Sequence, residues 1–168
     1  QASPYPARGI ECQSCHMAAS GQMTNMAPGK GGIERDPRTL ATHSFPGRAP
    51  DFLRGHIKLS LTAKRMEQGI EAVVTVLPHG VGHSLPTGHP SRNLIVWLDA
   101  LDNSGGRLPL VSGPTLPPSA GSGSIEEGGL VGLPGRFYAK TLEGLDGSLP
   151  VPYWRPNRLQ SDTRLKAD

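Results

Sequence analysis

The stretches IKLSLTA, residues 57–63, and IEAVVTVL, residues 70–77, decide the fold class of this chain. In the first stretch apolar and polar residues alternate, which is typical of a β-strand with one buried face. The second stretch is short, rich in β-branched residues and bounded by a glycine and a proline, so it predicts another strand. The residues that we expect to point into the core from the first strand are Ile57, Leu59, Leu61 and Ala63.

Further strands are predicted on the C-terminal side of this pair. Residues 94–101 are mostly apolar, and a turn signal at residues 103–106 leads from them into residues 107–111. Residues 137–142 are a fifth candidate, and residues 113–129, rich in Gly, Ser and Pro, predict a loop. Four or five short strands joined by turns predict a mainly β chain that forms an antiparallel β-sandwich-like domain.

The composition bounds the organisation of the whole chain. Its 168 residues correspond to about one domain, and 22 glycines and 17 prolines argue against long helices. We expect residues 1–55 to form an irregular N-terminal arm, in one compact unit with a β-sandwich-like domain of residues 56–168.

A net charge of +3 without a run of Lys or Arg argues against a nucleic-acid partner. No stretch approaches the ~18 apolar residues of a transmembrane segment.

The only two cysteines lie in the motif CQSCH, residues 12–16. This motif predicts one covalently attached haem c: the thiols of Cys12 and Cys15 add across the porphyrin vinyl groups, and His16 becomes the proximal ligand of the iron. A zinc site would need a ligand beyond two thiolates and one imidazole. A redox dithiol would need a preceding strand and a following helix. The haem interpretation accounts for each residue of the motif, and the zinc and dithiol alternatives stay open.

The compartment follows from the haem interpretation. Covalent haem attachment takes place on the outer side of the energy-conserving membrane, and the chain begins at Gln1 rather than at Met. We therefore expect an exported protein, periplasmic or extracellular, whose signal peptide has been removed. The porphyrin itself would form the core of the arm.

The second axial position of the iron decides the chemistry of such a site. His43 is a candidate distal ligand, because the chain between His16 and His43 is long enough to wrap a porphyrin. Phe45 can pack against the porphyrin ring. His56 precedes a predicted strand, where we expect it to point outward with Lys58.

Three more histidines, His79, His83 and His89, lie within eleven residues of one predicted loop. Three interpretations of this loop stay open: a copper or zinc site, a ligand for a haem iron, and a rigid turn whose imidazoles bond to backbone groups. His83 is the member of the three that we expect to ligate if any does, so it is the alternative distal ligand.

The segments CQSCHM at 12–17, HSFPG at 43–47 and VGHSLPTG at 81–88 together resemble a widespread group of extracytoplasmic multihaem cytochromes c. Members of that group couple haem motifs to a β-sandwich-like domain. The resemblance implies bis-histidine ligation, with His43 as the distal ligand and His83 in reserve. This chain has one haem motif where members have several, and it lacks the strands that members carry after the DTRL stretch at 162–165. We therefore expect an open sheet edge, which a neighbouring subunit covers by strand exchange.

These features predict an electron-transfer protein and not an enzyme. Two imidazoles leave the iron no open site, so we expect outer-sphere electron transfer at a lower potential than a His/Met pair would give. The expected partners are other cytochromes or redox subunits, or further copies of the chain in a homopolymer. Two alternatives stay open. One is a haem enzyme or gas sensor with an open distal site lined by His79, His83 or His89, and the other is a structural docking module of a multi-subunit redox complex.

Overall fold

The computed structural model describes residues 3–42, 49–149 and 151–167. Its regular structure is mainly β, with two antiparallel sheets and a few short helical segments. The predicted mainly β, antiparallel class is confirmed. No helix among the described residues is long and apolar enough to cross a lipid bilayer.

The chain divides into two compact units. The first comprises residues 1–82 with residues 167–168, and the second comprises residues 83–166. Each unit contains one of the two sheets. The predicted arm, residues 1–55, therefore belongs to the same unit as the first two strands.

The sheet of the first unit is a long hairpin. Strand β1, Ile57–Met66, pairs antiparallel with strand β2, Gly69–Pro78, in unbroken register from Ile57 opposite Pro78 to Met66 opposite Gly69. Gly69 has φ +137°, a conformation that residues with a side chain rarely adopt, and it allows the chain to reverse in so short a turn. Both strands are predicted from the sequence, and both are confirmed.

The burial expected for β1 is wrong. Leu59 and Leu61 were expected to face the core, yet they are 64% and 57% exposed. Ile57 is half-buried and Ala63 is exposed. The physical reason is that alternation determines which side chains share a face of a strand, whereas burial also needs a second layer on that face.

In its described residues the arm is irregular, as predicted, and contains four short helical segments. Three of them carry a proline in their first turn, where the missing N–H costs no hydrogen bond. The four segments are the 3-10 turns Pro6–Arg8 and Pro37–Thr39 and the one-turn helices α1, Cys12–His16, and α2, Pro50–Arg54.

The second unit contains a three-stranded antiparallel sheet in the order β3-β4-β5. Its strands are β3, Asn93–Trp97, β4, Gly135–Gly144, and β5, Asn157–Asp162. Strand β4 contains the predicted stretch 137–142, and β3 is shorter than the predicted 94–101. The side chains buried in this unit belong to Leu116, Ala120 and Ala139.

In the second unit one strand prediction is wrong and one strand was missed. Residues 107–111 form no strand, and only a single bridge joins Leu101 to Arg107. The reason is Pro109, which has no N–H to continue a ladder beyond Leu108. Strand β5 was not predicted, because its sequence NRLQSD contains one large apolar residue and shows no alternation.

The DTRL segment fastens the end of the chain to the second unit. The Thr163 hydroxyl donates to the Phe137 carbonyl at 2.9 Å and accepts from the Ala139 N–H at 3.1 Å. Leu165 and Leu85 exchange two backbone hydrogen bonds, at 2.8 and 2.9 Å. This motif of the sequence therefore stabilises the second unit.

Candidate functional site

The CQSCH motif forms helix α1. The Glu11 N–H donates to the Ser14 Oγ at 3.2 Å at its start, and the Met17 N–H donates to the Gln13 carbonyl at 2.9 Å at its end. Residues separated by three or four positions lie on the same face of a helix. The spacing of Cys12, Cys15 and His16 therefore places both thiols and the imidazole on one side of α1.

The thiols and the imidazole of this face differ in exposure. Cys12 and Cys15 are free and exposed, so both sulfur atoms are accessible to a reaction partner. His16 is half-buried. Its ring centroid lies 6.1 Å from that of Phe52 on α2, with the ring planes tilted by 47°. The face thus combines two accessible nucleophiles with a positioned nitrogen donor.

Phe52 connects this face to the base of the hairpin. Its ring centroid lies 4.6 Å from that of His56. The His56 Nδ1 lies 3.1 Å from the His79 carbonyl oxygen, to which the protonated Nδ1 donates, and the His79 N–H donates to the His56 carbonyl at 3.0 Å. His56 is half-buried in an aromatic contact, so the expectation that it points outward with Lys58 is wrong. Helix α2, which ends at Arg54, brings Phe52 back against it.

The loop that follows the motif returns to it. Ala19 and Ala41 form an antiparallel bridge, with the Ser20 N–H donating to the Leu40 carbonyl and the Thr42 N–H to the Ala18 carbonyl, both at 3.0 Å. Thr42, the last described residue before position 49, is therefore hydrogen-bonded to Ala18, which lies two residues after His16. The predicted distal ligand His43 and the predicted packing residue Phe45 lie outside the described residues.

Polar side chains hold the two ends of this returning loop. Arg38 binds both carboxylate oxygens of Asp36, at 2.6 Å for the shortest pair, and this contact lowers the pKa of that carboxyl. Asn25 donates to the Gly32 carbonyl at 2.9 Å and to Glu34 at 3.2 Å. Hydrogen bonds from Thr24 and Asn25 lower the pKa of Glu34. These polar contacts help to shape the loop.

Two of the three loop histidines place an imidazole nitrogen against a backbone group. His79 belongs to the first unit, and His83 and His89 belong to the second. The His83 Nδ1 lies 3.2 Å from the Ser84 carbonyl oxygen, and the His89 Nδ1 accepts from the Ser91 N–H at 3.2 Å. The His89 ring also packs edge-on against Tyr153 at 4.6 Å. These contacts favour the interpretation of a turn whose imidazoles bond to the backbone.

The zinc, copper and dithiol alternatives gain no support from the described part of the chain. No group of three or more His, Cys, Asp or Glu side chains there is arranged to hold a metal ion. Helix α1 follows a 3-10 turn and Gly9 rather than a strand, which is not the context of a thioredoxin-like dithiol. The donor set of α1, two thiols and one imidazole, has the chemistry that haem c attachment uses.

Sequence reasoning missed Phe52 as part of this site. A signal for it was present: Pro50 and Asp51 are typical residues for the first turn of a helix, and they predict a turn that carries Phe52.

The chain matches no known protein family, no curated protein and no solved structure. The resemblance to multihaem cytochromes c therefore rests on the sequence motifs alone.

Proposed function

We propose that this chain is a monohaem c-type cytochrome that transfers electrons. The observation that carries the proposal is the α1 face, on which two free, exposed thiols lie beside a half-buried imidazole. Cys12 and Cys15 would form thioether bonds with the two vinyl groups of the porphyrin, and His16 would be the proximal ligand. The haem would supply an iron that cycles between the ferric and ferrous states.

The distal ligand in this proposal is a second histidine. His43 follows Thr42 directly, and Thr42 is hydrogen-bonded to Ala18 beside the motif. Phe45, two residues after His43, would pack against the ring. His83, whose Nδ1 lies at the Ser84 carbonyl, is the alternative ligand.

The proposed mechanism is outer-sphere electron transfer. His16 and a second histidine would hold the haem iron, which would supply electron transfer rather than a substrate-binding position. His16 fixes the position of the metal relative to α1, and Phe52 shields that imidazole from water. Two imidazoles favour the ferric state more than a His/Met pair does, so the potential is low.

The compartment and partners in the proposal follow from the covalent haem. The chain would be exported to the periplasm or the cell exterior, and other cytochromes or redox subunits would exchange electrons with it. The outer edges of β3 and β5 have no strand neighbour among the described residues. Such edges support assembly with further copies of the chain, a homopolymer joined by strand exchange.

Spectroscopy of the exported, haem-loaded chain tests the proposal. We expect a low-spin ferric signal in low-temperature electron paramagnetic resonance and no carbon monoxide binding to the reduced form. His43→Ala is expected to convert the signal to high spin, with His83→Ala as the matched comparison. A wild-type protein that is high-spin and binds carbon monoxide would refute the closed coordination and favour a haem enzyme or gas sensor. Export without any haem would refute the proposal as a whole.

A further inference from the structure

The second unit contains a cavity of about 430 Å³, which is bounded by a loop and by strands β4 and β5. All of its lining residues fall between positions 114 and 163, within that one unit. Ligand sites in proteins usually measure about 300–1,000 Å³, so the cavity has room for a small molecule. None of the residues of the α1 face lines it.

Strands β4 and β5 form one side of the cavity, which we call the strand wall. Gly135, Phe137 and Thr141 line it from β4, and their spacing places them on one face of that strand. Ser161 lies directly opposite Thr141 in the ladder, and residues directly opposite each other project to the same face. The strand wall therefore presents two neighbouring hydroxyl groups and an aromatic ring.

A β-bulge adds an amide to the strand wall. Ser161 pairs with Thr141 and Leu159 pairs with Leu142, which leaves Gln160 as the extra residue of β5. Gln160 and Ser161 both line the cavity, although consecutive residues of a regular strand face opposite sides. Bulges re-aim side chains in this way, and they are common beside functional sites.

The polar side chains of the strand wall are available to a ligand. Thr141 and Ser161 are half-buried and Gln160 is exposed, and none of their side chains forms a hydrogen bond within the described part of the chain. Thr163 differs from them, because its hydroxyl already bonds to the backbone of β4. Hydroxyl and amide groups both donate and accept hydrogen bonds. The strand wall therefore matches a ligand whose polar groups also do both.

The loop at residues 114–119, which we call the loop wall, is mostly apolar on its cavity side. Three proline rings line the cavity from it, those of Pro114, Pro117 and Pro118. The Gly135 N–H donates to the Pro114 carbonyl at 3.0 Å, and the Leu116 N–H donates to the Leu133 carbonyl at 2.8 Å. Leu116 is also fully buried, which anchors the loop. The cavity is therefore formed before any ligand binds.

No charged side chain is directed into the cavity from β4. Arg136 is the one charged residue among the described lining residues. It lies between Gly135 and Phe137, which share the cavity face of the strand, so its side chain starts on the opposite face. A ligand charge placed between these walls would lose water and gain no ionic partner, which is costly. The cavity therefore favours an uncharged ligand.

We propose that this cavity binds an uncharged sugar ring. A pyranose has C–H groups on its faces and hydroxyl groups around its edge, and each hydroxyl both donates and accepts. One face of the ring packs against the prolines of the loop wall, and the hydroxyl groups bond to Thr141, Ser161 and Gln160. The proposal goes beyond electron transfer and does not need the haem.

Binding of methyl glycosides to the full chain tests the proposal. The probes are the methyl β-pyranosides of glucose, galactose and N-acetylglucosamine, and the charged comparison is the methyl β-pyranoside of glucuronic acid. Saturation-transfer-difference nuclear magnetic resonance detects the binding. We expect at least one neutral glycoside to bind with a dissociation constant on the order of 1 mM, because exposed lining residues leave part of the ring in water. The glucuronide should bind at least about tenfold more weakly.

Matched substitutions locate the binding. Thr141→Val removes one hydroxyl of the strand wall and keeps its shape, whereas Thr62→Val makes the same change on β1. We expect Thr141→Val to weaken binding about three- to tenfold, the effect of one lost hydrogen bond, and Thr62→Val to leave it unchanged. Ser119→Trp, at an exposed position of the loop wall, should fill the cavity and abolish binding. Circular dichroism checks the folding of each variant, and Ser161→Ala serves if Thr141→Val does not fold.

Three results would overturn the sugar site. The first is no binding of any neutral glycoside at concentrations on the order of 10 mM. The second is equal binding of the neutral and the charged glycosides. The third is equal binding by the wild type, Thr141→Val and Ser119→Trp, since the contact would then lie elsewhere. Haem absorbance of the same samples is a separate readout: a chain that binds sugar and carries no haem would refute the proposed function and leave the sugar site standing.

Discussion

The Asp162–Arg164 ion pair should contribute measurably to the stability of the second unit. Arg164 donates from Nε to Asp162 Oδ1 at 2.8 Å and from a terminal guanidinium nitrogen to Oδ2 at 2.7 Å. The two side chains are 17% and 23% exposed, so the pair is partly shielded from water. Asp162→Asn removes the charge and keeps the shape. A partly buried charge-assisted hydrogen bond contributes about 1.5–3 kcal/mol, and we expect a loss of about 1–2 kcal/mol of unfolding free energy after allowing for the remaining exposure.

The chain provides a matched control for this substitution. Arg38 binds Asp36 with the same spacing and the same two-pronged geometry, but there the side chains are 86% and 41% exposed. Asp36→Asn should therefore leave stability almost unchanged, because exposed ion pairs contribute little. The assay is urea unfolding monitored by far-ultraviolet circular dichroism, which reports both units, together with tryptophan fluorescence, which reports the second unit because Trp97 and Trp154 belong to it.

The effect of Asp162→Asn should depend on pH in one direction. The Arg164 guanidinium holds the pKa of Asp162 well below its ordinary value in the folded chain. The stabilisation is therefore complete above the unfolded pKa of about 3.9 and is lost as the pH falls toward the lower folded value. Wild type and Asp162→Asn should differ fully at pH 7, and the difference should shrink progressively as the pH falls below about 3.9 toward the folded value. Equal losses for the Asp162 and Asp36 variants at pH 7, or a difference that grows in acid, would refute this reasoning.

Two further predictions concern packing. Phe52→Ala should expose His16 and lower the midpoint potential of the haem-loaded chain, because a wetter site favours the ferric state. Leu53→Ala, at an exposed position of the same helix, is the control. Equal midpoint potentials for both variants in a redox titration would contradict the shielding of His16 by Phe52. Gly135→Ala should destabilise the second unit by about 1–3 kcal/mol, because its Cβ would collide with the Val96 carbonyl in the β3–β4 pair. Gly55→Ala, with nothing nearer than 3.8 Å, should be neutral in the same urea unfolding, and equal effects would contradict the steric argument.

The sequence was sufficient for the strands whose own residues carry a pattern. Alternation over residues 57–63 and β-branched residues over 70–77 predicted β1 and β2, and residues 137–142 predicted the middle of β4. Strand β5 lacks such a pattern and owes its conformation to pairing with β4. The conformational preference of the residues themselves cannot predict a strand that is stabilised only by pairing with a neighbouring strand.

The candidate site was predictable in its chemistry and not in its surroundings. Cys12, Cys15 and His16 stand out because of their spacing along the chain, and one turn of helix suffices to place them together. Phe52 reaches His16 only because α2 lies against the motif, a contact across 36 positions of sequence. The exposure of Leu59 and Leu61 was equally beyond local patterns, since it depends on which layers surround the hairpin.

Mass spectrometry of the mature chain tests the central claim most directly. The chain is purified from a host that attaches haem c outside its cytoplasm, and the intact mass and the peptides of residues 12–16 are measured. We predict the added mass of one haem, located on the peptide that contains Cys12 and Cys15 and retained after acid denaturation. An unmodified peptide with two free thiols, from a host that loads a control cytochrome c, would contradict the claim.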